Sequence, residues 1–227
     1  MKHILIFVLI IVIIILMVAA GSIVYRQFFS QTNFSQTLNQ IKENMAEQPL
    51  INKKIAMVVA FRDFRDEEYF VPKEFFQKAQ IDVKTVSDKT GIAVGADGAE
   101  TQVDFLLEEL KPADFDAVVF VGGPGCLSHL DNENAYKVIK ETIALNKVLG
   151  SICISPVILA KAGVLTGKRA TVWSSALDQS PVKILEQNGA IYEKKSVVRD
   201  GNIITANGPS AALEFAQNII KVLQENK

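Results

Sequence analysis

Apolar positions along the chain fall into three regimes. Residues 4–25, ILIFVLIIVIIILMVAAGSIVY, run without a charge between Lys2 and Arg26. At about 1.5 Å per residue, such a run spans a hydrocarbon core of about 30 Å. It predicts a single-pass membrane anchor over residues 1–25. A cleaved signal peptide is the alternative, because VAA ending at Ala20 resembles a small-residue cleavage site. The run nevertheless exceeds the usual signal core of about 7–15 residues, and the basic leader is minimal. Residues 26–52 are rich in Gln and Asn, with Phe34, Leu38, Ile41 and Met45 at helical spacing. They predict a short amphipathic stalk that ends before Pro49, since the residue preceding proline disfavours helix. A disordered tether fits the same composition.

From Ile55 the pattern becomes short apolar runs alternating with amphipathic segments, which defines a domain over residues 53–227. Strands are predicted at 55–61 (IAMVVAF), 81–87 (IDVKTVS), 115–123 (FDAVVFVGG) and 147–153 (KVLGSIC). Helices are predicted at 67–80, 103–110, 131–146, 155–163, 181–189 and 210–224. Hairpins are expected in the glycine-punctuated segment 91–103 and in SVVRDGNIITA (196–206). Continuous apolar strands alternating with helices indicate an α/β sandwich, flavodoxin-like, with a mostly parallel sheet covered on both faces. Sites in such folds lie at the carboxyl ends of the strands. GGPGC (122–126) and Cys153 are thereby expected at one edge of the sheet.

Charge adds a lean on orientation. The net charge is −1, divided as +3 over residues 1–54 and −4 over the remainder. Lys2 and the α-amino group outweigh Arg26 beside the apolar run, favouring a domain outside the cytoplasm. No basic patch points to nucleic acid as a partner. Two cysteines are too few for a disulfide framework, and no Cys/His cluster suggests a zinc site or other metal.

GSICISPVILAKAG (150–163) reads as a sharp turn from a buried strand into a helix, with Cys153 at its tip. Taken alone, a buried cysteine is more often a small hydrophobe than a nucleophile. Four stretches alter that balance: EEYFVP, DFDAVVFVGGPG, GSICISPVILAKAGVLTGKRAT and VVRDGNIITANGPSAALEFA. In unbroken order over roughly residues 53–225, they resemble the successive signatures of the ThiJ/PfpI family, of class I glutamine-amidotransferase-like fold. That family includes archaeal intracellular proteases, glyoxalase III-type enzymes and proposed deglycases, often dimeric and with no cofactor. The resemblance makes Cys153 the elbow nucleophile and Glu68, four positions before Pro72, its acidic neighbour. A carboxyl in a partly dry pocket tends to stay protonated and can donate to a thiolate. The backbone N–H groups of Gly123 and Ile154 are the implied oxyanion donors. Glu67 competes with Glu68 for the acid's role but reads better as a solvated charge at a helix start.

Departures from the family are equally informative. Its protease-like branch carries His directly after the cysteine, where this chain has Ile154. A second branch recruits His after the next strand, where ATVWSS offers Trp173. His129 could substitute as a base only if its loop folds over the elbow; otherwise it is an ordinary polar residue at a helix start. Ser155 replaces a common family glycine, its hydroxyl either capping the helix or lining the pocket. Cys126 is either loop packing or a resolving thiol for an oxidised Cys153. Two classes of function follow: an enzyme acting on small reactive carbonyls, or a non-catalytic, membrane-tethered redox sensor or interaction domain. A cysteine peptidase or amidase ranks below both, for want of a base.

Overall fold

The computed structural model describes residues 50–226. The predicted anchor and all of the stalk through Pro49 lie outside them. Among the described residues, no helix is long and apolar enough to cross a membrane.

Strand β1 (Lys54–Val58) is apolar on both sides, as a central strand must be, and four of its five residues are buried. It is followed by the short β2 (Arg62–Phe64) and helix α1 (Asp66–Lys78), then by β3 (Asp82–Ser87). Strands β4 (Ile92–Gly95) and β5 (Glu100–Gln102) form the expected hairpin, extended by parallel pairing of β2 with β4. Residues 103–110 depart from the helical expectation. They form β6 (Phe105–Leu106) and a single 3-10 turn, Leu107–Glu109. Eight residues are too few for a helix to hold unaided in water, and Val86 and Ser87 of β3 offer Phe105 and Leu106 ladder partners.

The chain continues through β7 (Ala117–Phe120), α2 (Cys126–Leu130), α3 (Glu133–Ala144) and β8 (Val148–Ile152). Asn132 caps α3 by accepting from the Ala135 N–H at 3.2 Å. After α4 (Pro156–Lys161) come β9 (Arg169–Ala170), α5 (Ser180–Gln187) and β10 (Ile191–Tyr192). The last elements are β11 (Val197–Asp200), β12 (Ile203–Ala206) and α6 (Ala212–Glu225).

The main sheet has seven strands in the order β11-β12-β8-β7-β1-β3-β6. All its pairings are parallel except β11 with β12, the second expected hairpin. Helices α1 and α6 pack together over one face, and α3, α4 and α5 cover the other. At the ends of the sheet, β6 contributes two residues, and the outer side of β11 is met by Arg169, whose guanidinium donates to the Arg199 carbonyl. The short strands β2, β9 and β10 were not expected from the sequence. They span two or three residues each, less than the strand period needs to declare itself.

Candidate active site

Strands β7 and β8 are parallel neighbours, so the turns that follow them emerge side by side. After β8 the chain reverses at Cys153, whose φ is +65°. A left-handed conformation is unfavourable for a residue with a Cβ, and such strain persists only where the surroundings impose it. Here two backbone hydrogen bonds do so. The Cys153 N–H donates to the Ala206 carbonyl of β12 at 2.8 Å, and its own carbonyl accepts from the Trp173 N–H at 2.7 Å. The thiol is thereby aimed away from the sheet, towards the turn that follows β7.

That turn is built on glycine for steric reasons. A Cβ on Gly122 would stand 2.5 Å from the Cys153 Cβ and 2.7 Å from Glu68 Oε2. Gly123 has φ +114°, and a Cβ there would strike the Arg65 backbone. The Gly122 carbonyl accepts from the Arg65 N–H at 3.1 Å, which docks the start of α1 against the turn. Glu68, in the first turn of α1, is fully buried, and its Oε2 accepts from the Gly122 N–H at 3.1 Å. Glu67 points to solvent, as expected.

Two titrating groups therefore meet in a nearly dry space. Burial above all raises the Glu68 carboxyl to about 7, against lowering contacts with the Cys153 thiol and the Gly122 N–H. Burial and the charge of Glu68 push the Cys153 thiol up, while the N–H groups of Gly123 and Ile154 pull it down. The two upward pressures cannot both be met by charging both groups: one proton is shared by the pair. Glu68 Oε1 is buried without a hydrogen-bond partner among the described residues. The arrangement sets a raised carboxyl beside a raised thiol, a pair between which a proton can pass.

Above the sulfur lies an open cleft of about 290 Å³. Arg65, Gly123, Pro124, Leu127, Ile154 and Trp173 line it together with Cys153. Four of the sequence-derived residues thus converge: Cys153, Glu68, Gly123 and Ile154. The three accessory residues do not join them. Ser155 neither caps α4 nor lines the cleft. Its buried hydroxyl accepts from the Ile152 N–H at 3.0 Å and pairs with the Ser151 hydroxyl at 2.7 Å, stitching the elbow from beneath. His129 sits in the last turn of α2, not at a helix start, and its Nδ1 meets Asp88 Oδ2 at 2.7 Å, away from the cleft lining. Cys126 lies not in a loop but in the first turn of α2, fully buried, where burial and then the nearby Cys153 and Glu68 push its thiol well up. Arg65, Pro124 and Leu127 line the cleft without having been singled out. Arg65 was discoverable, since it precedes Glu68 by three residues, one helical turn.

Known proteins resemble this chain over most of its length. An uncharacterized protein of Methanocaldococcus jannaschii is 40% identical over 189 residues, 83% of this chain and 88% of that one. A deglycase of Pyrococcus abyssi is 29% identical over 168 residues, 74% of this chain and 98% of that one. The crystal structure of a ThiJ/PfpI domain protein from Brachyspira murdochii superposes with a TM-score of 0.71 at 32% identity, covering 77% of this chain and 98% of that one. Residues 53–222 match the DJ-1/PfpI family, and with that span, this sheet order and an elbow cysteine at the carboxyl edge, the chain belongs to it.

Proposed function

We propose that the protein uses Cys153 to attack small reactive carbonyl compounds, in the manner of the deglycase-named relatives. One observation carries this reading: a thiol at a strained elbow faces a buried acid and two backbone N–H groups, at the floor of an open cleft. Near neutral pH a fraction of Glu68 is ionised. As Sγ bonds to an aldehyde carbon, the thiol proton passes to the Glu68 carboxylate and the C=O π bond opens. The oxygen that gains the electron pair is met by the Gly123 and Ile154 N–H groups and takes the proton back from Glu68, leaving a thiohemiacetal. No imidazole takes part, because Ile154 and Trp173 occupy the two positions at which family branches place one. Peptide hydrolysis, which must protonate a leaving amine, is for that reason not expected. We further propose that the apolar segment 4–25 tethers this domain to a membrane.

The absence of an imidazole from the cleft lining favours a second reading, in which Cys153 is an oxidisable thiol and turnover is secondary. Peroxide would convert the thiolate to sulfenic acid, with loss of hydroxide, and a second equivalent would give the sulfinate. The full chain, incubated with methylglyoxal beside a Cys153→Ala control, separates the two. Consumption that the control lacks supports carbonyl chemistry. Consumption equal in both, or absent from both, overturns it.

A further inference from the structure

Arg65 contributes the single charged side chain to a cleft otherwise lined by Gly123, Pro124, Leu127, Ile154 and Trp173 around Cys153. Its position is fixed by its backbone, whose N–H is held by the Gly122 carbonyl at 3.1 Å. One nitrogen of its guanidinium, Nη1, bonds Asp97 Oδ2 at 3.0 Å. Asp97 is the more exposed partner, its side chain 56% accessible, and lies in the β4–β5 turn. An ion pair this wet is weak and readily exchanged. A guanidinium carries five N–H donors in a planar fork, and among the described residues Asp97 engages the side chain through Nη1 alone. The remaining donors are available to a planar anion. Trp173 and Leu127 add apolar surface to the same cleft.

We infer that Arg65 is a specificity-determining residue that selects carboxylate-bearing ligands, with an apolar group seated against Trp173 and the reacting carbon near Cys153. The substrate class narrows accordingly to oxo compounds carrying a carboxylate. This rests on the carbonyl chemistry proposed above for its catalytic meaning, but the recognition itself is measurable without any reaction.

Trp173 makes that measurement direct, because it is the only tryptophan of the chain and lines the cleft. Its emission, excited at long wavelength, is followed while the full chain is titrated with phenylacetate and, separately, with phenylacetamide, a neutral isostere. Both probes are inert towards a thiol. Phenylacetate is expected to bind about tenfold more tightly than the amide, the size of one charge-assisted hydrogen bond in a partly wet site. Raising the salt concentration narrows the gap. Arg65→Gln removes it, and Arg65→Lys retains part of it. Equal affinities for acid and amide, no binding of either, or an acid preference that survives Arg65→Gln would each overturn the assignment. Methylglyoxal carries no carboxylate, so its consumption tests the thiol chemistry separately. Loss of that activity with the acid preference intact counts against the chemistry alone, and the reverse pattern against Arg65 alone.

Discussion

Replacing Glu68 with glutamine keeps the size of the side chain and an acceptor for the Gly122 N–H, and removes one titration. In the folded chain the carboxyl is raised to about 7 from an ordinary 4.5, chiefly by burial. Below pH 4.5 both the folded and unfolded states hold the proton and the group has no effect on stability. Between 4.5 and about 7 the folded state retains a proton that the unfolded state has released, so stability falls as pH rises. The slope is about 1.4 kcal/mol per pH unit. Above pH 7 the cost levels off at roughly 3 kcal/mol, an upper value because the proton is shared with Cys153. Glutamine carries no such cost. Its amide nitrogen does need a partner where Oε1 has none, an offset of about 1–3 kcal/mol that is the same at every pH. The decisive quantity is therefore the change between two pH values. Urea denaturation followed by Trp173 emission should show Glu68→Gln gaining about 2–3 kcal/mol on the wild type between pH 4.5 and pH 8. Stability curves that run parallel over that range would refute the raised carboxyl, and with it the neutral acid beside the sulfur.

Three further outcomes are expected. Gly122→Ala places a methyl 2.5 Å from the Cys153 Cβ and 2.8 Å from the Ile152 carbonyl oxygen. It should cost about 1–3 kcal/mol in urea denaturation and lower methylglyoxal consumption by roughly 100-fold, through misplacement of the thiol. Iodoacetamide at neutral pH should label Cys153 before Cys126, as read by peptide mass, because the Cys126 side chain is fully buried; equal labelling would dissociate the cleft from the reactivity. Ser155→Ala strips the hydroxyl partner from the buried Ile152 N–H and Ser151 and should cost about 1–3 kcal/mol, whereas an effect near zero would show the stitch beneath the elbow to be idle.

The sequence was most legible where burial imposes a period. Strands β1, β7 and β8 stand out as apolar runs, so the parallel sheet and the adjacency of the turns after β7 and β8 could be read in advance. Both hairpins announced themselves by their glycines. The elbow was visible as a strand ending in SIC before Pro156, and Glu68 only through the resemblance of EEYFVP to the family's motif. What escaped was set by contacts distant in the chain. Residues 103–110 have a helical pattern, but pairing of Phe105 with Val86 decides their conformation. The hydroxyl of Ser155 turns beneath the elbow because Ser151 and the Ile152 N–H lie there. His129 is drawn to Asp88, 41 residues earlier, at the end of β3. Arg65 reads as one more charge in FRDFRDEE until its backbone bond to Gly122 brings it into the lining of the Cys153 cleft.

The margins of the main sheet bear on how the folded chain behaves in a crowded solution. An open sheet ordinarily presents two rows of unpaired amides and carbonyls, which are templates for runaway strand addition. Here one margin is a strand of only two residues that passes at once into a 3-10 turn. On the other, the Arg169 guanidinium already occupies the Arg199 carbonyl, and the Arg169 N–H is satisfied by Asp200 at 3.1 Å. Neither side leaves a long ladder open for an incoming segment. Fibril-like growth from the main sheet would first have to unfold one of these margins.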